Sequence, residues 1–304
     1  EALIEVLNKN KKEELLVLGG GSNLLLTQDF KGLTIRMENR GMEVVQEDGQ
    51  WAIVKVAAGE NWHEFVLWCS EKNLGGVENL ALIPGSVGAA PIQNIGAYGV
   101  ELKEVFESCE ALSLNTKKIE IFTNKDCDFG YRNSVFKNRL KGQYIICSVT
   151  FKLSKSPHKF NTSYRGLSEK LEGHDSSIQS IAQAVIEIRS AKLPDPKQIG
   201  NSGSFFKNPV IPSVLFKTLQ NQYPEIPYYP DMEGSVKIPA AWLIDHLGWK
   251  GYRKKDAGVH KDQALVLVNY GNASGMEIKE LAQAIQSKVS EAFGIVLDFE
   301  VNVL

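Results

Sequence analysis

Apolar residues along this chain follow two rhythms. Leu15–Leu18 is an apolar run too short to form a helix alone, and it leads into Gly19-Gly20-Gly21-Ser22-Asn23 and then Leu24-Leu25-Leu26. The pattern predicts strand, tight loop, strand. Residues 52–57 are strand-like. Asn61 with Glu64 three residues on is a capping-box variant, and Trp62, Phe65, Val66 and Cys69 follow it at helical spacing. Residues 105–123 and 144–153 read as strands. Ile178, Ile181, Ala182, Val185 and Ile188 mark an amphipathic helix ending before Pro194. Pro194-Asp195-Pro196 reads as a domain boundary. Beyond it, residues 240–247 form a helix stopped by Gly248, and residues 263–268 form a strand. Ser274 and Glu277 box the start of a long helix ending at Gly294. Ile295, Leu297, Phe299, Val301 and Val303 alternate in a last strand. Hairpin-like strands with separate helices argue an α+β fold rather than a doubly wound sheet. No GxGxxG follows a strand with an acidic residue about 20 positions later, and no GxxxxGK[ST] occurs.

Residues 83–99 break both rhythms: Ile83-Pro84-Gly85-Ser86-Val87-Gly88-Ala89-Ala90-Pro91-Ile92-Gln93-Asn94-Ile95-Gly96-Ala97-Tyr98-Gly99. The stretch has too little bulk to build a core and too few charges for a solvated linker. Glycine lets a backbone approach a ligand and take up positive φ, and successive uncovered amides can form an anion nest. The segment is expected to wrap a phosphate-bearing ligand. A surface Gly/Ser linker is the alternative, but linkers do not carry apolar residues at this density. Gly19-Gly20-Gly21 alone suits a hairpin turn as well as a ligand loop. Beside residues 83–99 it becomes a second wall of a cofactor site.

Composition narrows the function classes. With 304 residues there is chain for two or three domains. A net charge of −2 without a Lys/Arg run gives no nucleic-acid footprint. No apolar run reaches the length of a membrane span, and no signal peptide is visible. Cys69, Cys109, Cys127 and Cys147 form no CxxC pair, which suits a reducing cytoplasm rather than a disulfide framework. His63, His158, His174, His246 and His260 are scattered, with no HExxH, so no metal site is expected.

Five motifs in order then carry a resemblance. They are Gly19-Gly20-Gly21-Ser22-Asn23, Ile83-Pro84-Gly85-Ser86-Val87-Gly88, Gln93-Asn94-Ile95-Gly96-Ala97-Tyr98-Gly99, Tyr131-Arg132-Asn133-Ser134-Val135-Phe136-Lys137 and Gly203-Ser204-Phe205-Phe206-Lys207-Asn208-Pro209. Over nearly its whole length the chain resembles the UDP-N-acetylenolpyruvoylglucosamine reductase (MurB) family, in the branch with a substrate-covering tyrosine loop. The resemblance implies a vanillyl-alcohol-oxidase-like (PCMH-type) FAD-binding fold of two α+β subdomains, 1–40 and 41–193, with a C-terminal α+β substrate domain, 194–304. The last strand, near 297–304, is expected to return to the first subdomain.

The activity implied is that of a bacterial cell-wall enzyme. NADPH reduces FAD, hydride passes to C3 of the enolpyruvyl group of UDP-N-acetylglucosamine enolpyruvate, and a proton reaches C2 to give UDP-N-acetylmuramate. By resemblance Ser204 donates that proton, Arg132 clamps the substrate carboxylate and Glu300 assists at the developing enolate. From the residues alone, a turn-capping serine and a solvent-facing strand glutamate are the favoured readings of Ser204 and Glu300, and a solvated loop arginine fits Arg132 equally well. The cofactor residues implied are Gly19, Gly20, Gly21, Ser22, Asn23 and Leu24, then Pro84, Gly85, Gly88, Ala89 and Ala90, with Ile95, Gly96 and Arg189. Tyr131, Tyr164, Lys192, Asn208 and Gln263 match substrate contacts. A monomer in the cytoplasm is expected, with no nucleic-acid or membrane partner.

Two departures from the family pattern stand out. The strand and loop that precede Glu1 in the family are missing from this numbering. The terminal pattern Leu-Glu-Pro-Glu-Val-Arg reads Leu297-Asp298-Phe299-Glu300-Val301-Asn302, so Asn302 replaces an arginine near the flavin. Two other readings stay open at this point: a flavin oxidase of the same fold acting on an unrelated alcohol, and a nucleotide- or sugar-binding module without catalysis.

Overall fold

Alternation in the strand Trp51–Ala57 settles the largest sheet. Ala52, Val54 and Val56 are buried on one face while Trp51 is exposed. Period-two burial of this kind needs a partner layer on one side only. The sheet has five antiparallel strands in the order Met42–Glu47, Trp51–Ala57, Tyr144–Ser154, Phe106–Ser113 and Ile119–Thr123. In register, Val56 faces Val149, Val54 faces Phe151 and Ala52 faces Leu153. The helix Trp62–Glu71 covers this face: Phe65 lies 4.7 Å and Trp62 6.0 Å from the Phe151 ring, centroid to centroid. Each such buried aromatic contributes about 1.5–3 kcal/mol over leaving it exposed. Asn61 starts the helix as expected, its side chain accepting the Glu64 N–H at 3.1 Å.

The structure is a computed structural model and describes residues 1–10, 13–173 and 175–304. His174, one of the scattered histidines, lies outside the described residues. The chain divides into two compact units. The first, Glu1–Gly21 with Lys31–Arg189, holds the five-stranded sheet and a parallel pair, Leu15–Leu18 with Leu33–Arg36. The helix Ile178–Lys192, predicted to stop before Pro194, buries Ile181, Ala182 and Val185 in this unit's core.

The second unit is Ser22–Phe30 with Ser190–Leu304. Its four-stranded sheet runs Gly200–Ser204, Val266–Asn269, Ala257–Val259, Arg253–Lys254. The helix Gly275–Phe293 packs on it through Ile278, Leu281, Ala282, Ile285, Val289 and Phe293, the three-and-four spacing of one helix face. Its ends follow the sequence rules: Ser274 and Glu277 cap each other reciprocally, and Gly294 closes the helix at φ +65°. Leu24–Leu25 pairs in parallel with Asn302–Val303, so the last strand reaches back to the start of the chain.

Three expectations need correction. Residues 83–99 do build core. Val87–Gln93 is a 3-10 helix, and Val87, Ala90 and Ile95 are buried. The small residues serve that packing: a Cβ on Gly88 would lie 2.5 Å from the Ala58 Cβ, and the Gly88 amide already donates to the Ala58 carbonyl at 2.9 Å. The last strand shrinks to Asn302–Val303, because residues 295–301 alternate in burial but pair only through the isolated Phe206–Phe299 bridge. The strand predicted from Gln263 begins at Val266, whose amide donates to the Gln263 carbonyl at 3.0 Å and so turns the chain first.

Candidate active site

The first unit brings its two glycine loops into backbone contact. A Cβ on Gly20 would stand 3.1 Å from the Gly85 Cα, and one on Gly19 would collide with the Ser86 hydroxyl. Only glycine permits that approach. The second loop is held from behind: Trp62 donates to the Gly85 carbonyl at 3.0 Å and Val87 to the Glu60 carbonyl at 2.9 Å. Gly20 and Gly21 are exposed, and among the described residues their amides donate to no protein acceptor. Uncovered N–H groups with no side-chain bulk fit a diphosphate, as a dinucleotide cofactor requires. Pro84 and Ala89 are exposed beside them, while Ala90 is buried.

Arg132 belongs to the same unit. It sits at φ +51°, a conformation uncommon outside glycine, in a tight turn closed by reciprocal Gly130–Asn133 backbone bonds. Its Nη2 donates to the Gly96 carbonyl at 2.6 Å, and its guanidinium lies 5.3 Å from the Tyr131 ring centroid. The turn is anchored by a residue that sequence reasoning missed. Asn94, fully buried at φ +46°, donates through Nδ2 to the Gly130 carbonyl at 3.0 Å and to Glu101 Oε2 at 3.1 Å. Its Oδ1 accepts the Lys103 N–H at 3.0 Å. Ser134 adds a bond from its hydroxyl to the Ile92 carbonyl at 2.7 Å. Nothing in the motif spelling distinguishes Asn94 from the turn asparagines common in loops.

Tyr98, Tyr164 and Arg189 form a second group in this unit. The tyrosine rings meet edge to face at 5.0 Å, Tyr164 being exposed at the start of a short helix. Arg189 lies beside the Tyr98 phenol and donates from Nε to the Leu82 carbonyl at 3.2 Å. Burial pulls the guanidinium below its usual range, with the phenol opposing. Burial likewise raises the Tyr98 phenol, which keeps it protonated at neutral pH.

Ser204 and Glu300 share the second unit. The strand Gly200–Ser204 is irregular between Asn201 and Ser204, with Gly203 at φ +73°. Such a bulge re-aims the side chain beyond it. The next residue, Phe205, accepts the Glu300 N–H on its carbonyl at 2.9 Å, so the two candidate residues sit on bonded neighbouring segments. Phe205, Phe206 and Phe299 pack together beneath, at 5.2–5.6 Å between centroids. Asn23 reaches the Glu300 carbonyl at 3.2 Å, Ser202 reaches the Leu24 carbonyl at 2.8 Å, and Asn302 donates to the Asn23 carbonyl at 3.1 Å. Asn208 caps the helix Ala240–His246 by accepting the Ala240 N–H at 2.9 Å. Gln263 is half-buried in a turn, and Lys192 is exposed at a helix end. Among the described residues no three His, Cys, Asp or Glu side chains gather as a metal site, and no helix is long and apolar enough to cross a membrane.

The comparisons with known proteins bear on both units. Residues 1–121 match the FAD binding domain, and residues 195–304 match the C-terminal domain of UDP-N-acetylenolpyruvoylglucosamine reductase. A solved reductase of that name from Thermus caldophilus shares the fold, with a TM-score of 0.66 and 24% identity over 98% of this chain and 88% of its own. The class is thus an α+β FAD-dependent oxidoreductase. UDP-N-acetylenolpyruvoylglucosamine reductases from Flavobacterium johnsoniae (50% identical; 100% of this chain, 91% of theirs) and Amoebophilus asiaticus (52%; 99% and 90%) make the assignment specific. The chain belongs to the UDP-N-acetylenolpyruvoylglucosamine reductase family.

Proposed function

We propose that this protein reduces the enolpyruvyl group of UDP-N-acetylglucosamine enolpyruvate to give UDP-N-acetylmuramate for peptidoglycan, with NADPH as reductant. The observation that carries the reading is the Ser204 corner: a hydroxyl just past a bulge, with Glu300 bonded through its backbone to the next residue. FAD, when bound, supplies the hydride. Gly19, Gly20, Gly21, Ser22, Asn23 and Leu24 hold it together with Pro84, Gly85, Ala89 and Ala90. Gly88, Ile95, Gly96 and Arg189 would complete the cofactor site.

Reduction at C3 puts negative charge on C2 and its carboxylate, so the protein must answer with a proton and with fixed positive charge. Ser204 gives the proton to C2. Arg132 holds the carboxylate through its planar fork, which a lysine could not reproduce. Glu300 assists at the developing enolate. Tyr131, Tyr164, Lys192, Asn208 and Gln263 grip the nucleotide sugar, where a cation and polar donors suit a diphosphate. Residues 1–40 and 41–193 form the FAD-binding part and residues 194–304 the substrate domain of a cytoplasmic monomer.

The test adds UDP-N-acetylglucosamine enolpyruvate to dithionite-reduced protein without oxygen. Prompt reoxidation of the flavin is expected. A flavin that stays reduced while bound would reject the activity. A Glu300→Gln variant with unchanged turnover would reject the role of Glu300.

A further inference from the structure

Leu82 stands at the entrance to the second glycine loop, immediately before Ile83-Pro84-Gly85. It is a leucine at φ +57°, in the left-handed region where a side chain costs about 1 kcal/mol or more. Such a residue persists only where its surroundings hold it. Here both of its peptide groups are gripped by side chains. The Leu82 N–H donates to His63 Nδ1 at 3.1 Å, and the Leu82 carbonyl accepts from Arg189 Nε at 3.2 Å. His63 comes from the helix Trp62–Glu71 and Arg189 from the helix Ile178–Lys192. Each helix is anchored in the core of the same unit, by Phe65 and Val66 and by Ile181 and Val185.

We propose that His63 is a positioning residue for the flavin: as the neutral imidazole protonated on Nε2, it locks Leu82 and thereby sets the Pro84–Gly85 turn at the height the cofactor requires. The inference rests on the reading of residues 84–90 as flavin-lining. The chemistry leaves little choice of tautomer. An imidazole that accepts at Nδ1 must carry its proton on Nε2. A doubly protonated ring has a donor at both nitrogens, so its Nδ1–H would face the Leu82 N–H. The clamp then opens on that side and leaves Leu82 held by Arg189 alone.

The surroundings favour the neutral ring. Partial burial holds the His63 imidazole below its usual range; Glu64, beside it on the same helix, opposes, and Arg189 across the Leu82 peptide assists. Among the described residues, Glu64 and Arg189 are the charged groups that act on it. The sign follows: a group whose value is depressed in the assembled protein keeps its contribution above its free value and loses it as pH falls through the lowered one. Flavin affinity should therefore be full near neutrality and decline in acid.

The experiment has one arm without flavin and one with it. In the cofactor-stripped protein, nitrogen NMR should show His63 protonated on Nε2 only, and the Leu82 amide should exchange slowly near neutral pH. In His63→Leu that exchange should quicken while protection of the Trp62–Glu71 helix persists. A ring protonated on Nδ1, or a Leu82 amide indifferent to His63→Leu, overturns the proposal whatever the flavin does. In the second arm the FAD dissociation constant, read by flavin fluorescence, should rise about tenfold between about pH 7.5 and about pH 5, the scale of one neutral hydrogen bond. His63→Asn, which places an oxygen that cannot titrate near the Nδ1 position, should bind FAD with a flat pH profile. His63→Leu should bind it weakly at every pH. Equal pH profiles in wild type and His63→Asn overturn the proposal. Wild-type protein that takes up no FAD at all would instead refute the flavin-lining reading, and the NMR arm would still decide the clamp.

Discussion

Around Gly20 and Gly85 the atoms offered to a ligand belong to the main chain; around Ser204 and Glu300 they belong to side chains. The first region gains by removing bulk. Two loops approach so closely that a Cβ on either Gly19 or Gly20 would strike the other loop, which leaves amides exposed at 20 and 21. The second region gains by placing a side chain. Ser204 follows an irregularity in its strand, with Gly203 at φ +73°, and a packed floor of Phe205, Phe206 and Phe299 holds the segment that carries Glu300. The difference teaches where each region tolerates change. Side-chain chemistry at 204 is expected to be deletable with the fold intact, whereas a side chain at 20 needs the facing Gly85 backbone to give by a few tenths of an ångström.

The largest effect therefore belongs to Ser204→Ala. Turnover should fall by about 10²–10⁴-fold, the scale of general acid catalysis, with FAD content, melting temperature and the rate of flavin reduction by NADPH nearly unchanged. Stopped-flow traces of the two half-reactions separate these. Equal slowing of both would make Ser204 a ligand-positioning residue and erase the contrast. Gly20→Val should do the reverse. Its Cβ meets the Gly85 backbone at 3.1 Å, and the γ-methyls of valine add bulk to a contact that is already tight. Overpacking of about 1–3 kcal/mol corresponds to FAD affinity weakened by about 5- to 150-fold. Fluorescence titration should show this loss, while substrate binding to the second unit changes little.

The two regions were also legible in the sequence to different degrees. The main-chain region announces itself, because Gly19-Gly20-Gly21 and residues 83–99 are compositions with few other uses. Even so, their apolar content was misread: Val87, Ala90 and Ile95 turn inward, since a 3-10 helix with no bulk on one side can lie directly on Ala58. The side-chain region is almost silent. A serine after a glycine and a glutamate in an alternating strand fit many bland roles, and only the family resemblance singled them out. The long helix was readable to its ends because Ser274, Glu277 and Gly294 are local signals. Residues 295–301 were not, because alternation reports burial while strand pairing depends on a neighbour elsewhere in the chain. His63 and Asn94 escaped for the same reason. Each acts on a backbone group 19 or 36 positions away, and no spacing rule reaches that far.

Asn94 offers an intermediate case, where a side chain supports a main-chain turn. Asn94→Ala removes the donor to the Gly130 carbonyl and the acceptor for the Lys103 amide in a fully buried place. Leaving such groups unpaired costs about 1–3 kcal/mol, read as a lower denaturation midpoint. Because Gly130 opens the turn that carries Arg132, kcat/KM should fall further than stability alone explains. A variant that melts earlier yet keeps full kcat/KM would show that Arg132 is placed without it.

The smallest effect is expected at Asn302, where the family pattern has arginine. The Asn23 carbonyl accepts twice from this residue, from the backbone N–H at 3.1 Å and from Nδ2 at 3.1 Å. Asn302→Ala removes only the second bond, on an exposed side chain. The backbone bond and the parallel pairing with Leu24 remain. The loss should be about 0.5–1 kcal/mol of stability, with FAD affinity changed less than about threefold. Asn302→Arg keeps a donor near the same carbonyl and adds a cation beside residues 23 and 24, so it should bind FAD at least as well as wild type. If instead Asn302→Ala cost as much flavin as Gly20→Val, a side chain would be shaping the cradle at residues 20–24, and the division between a main-chain site and a side-chain site would no longer hold.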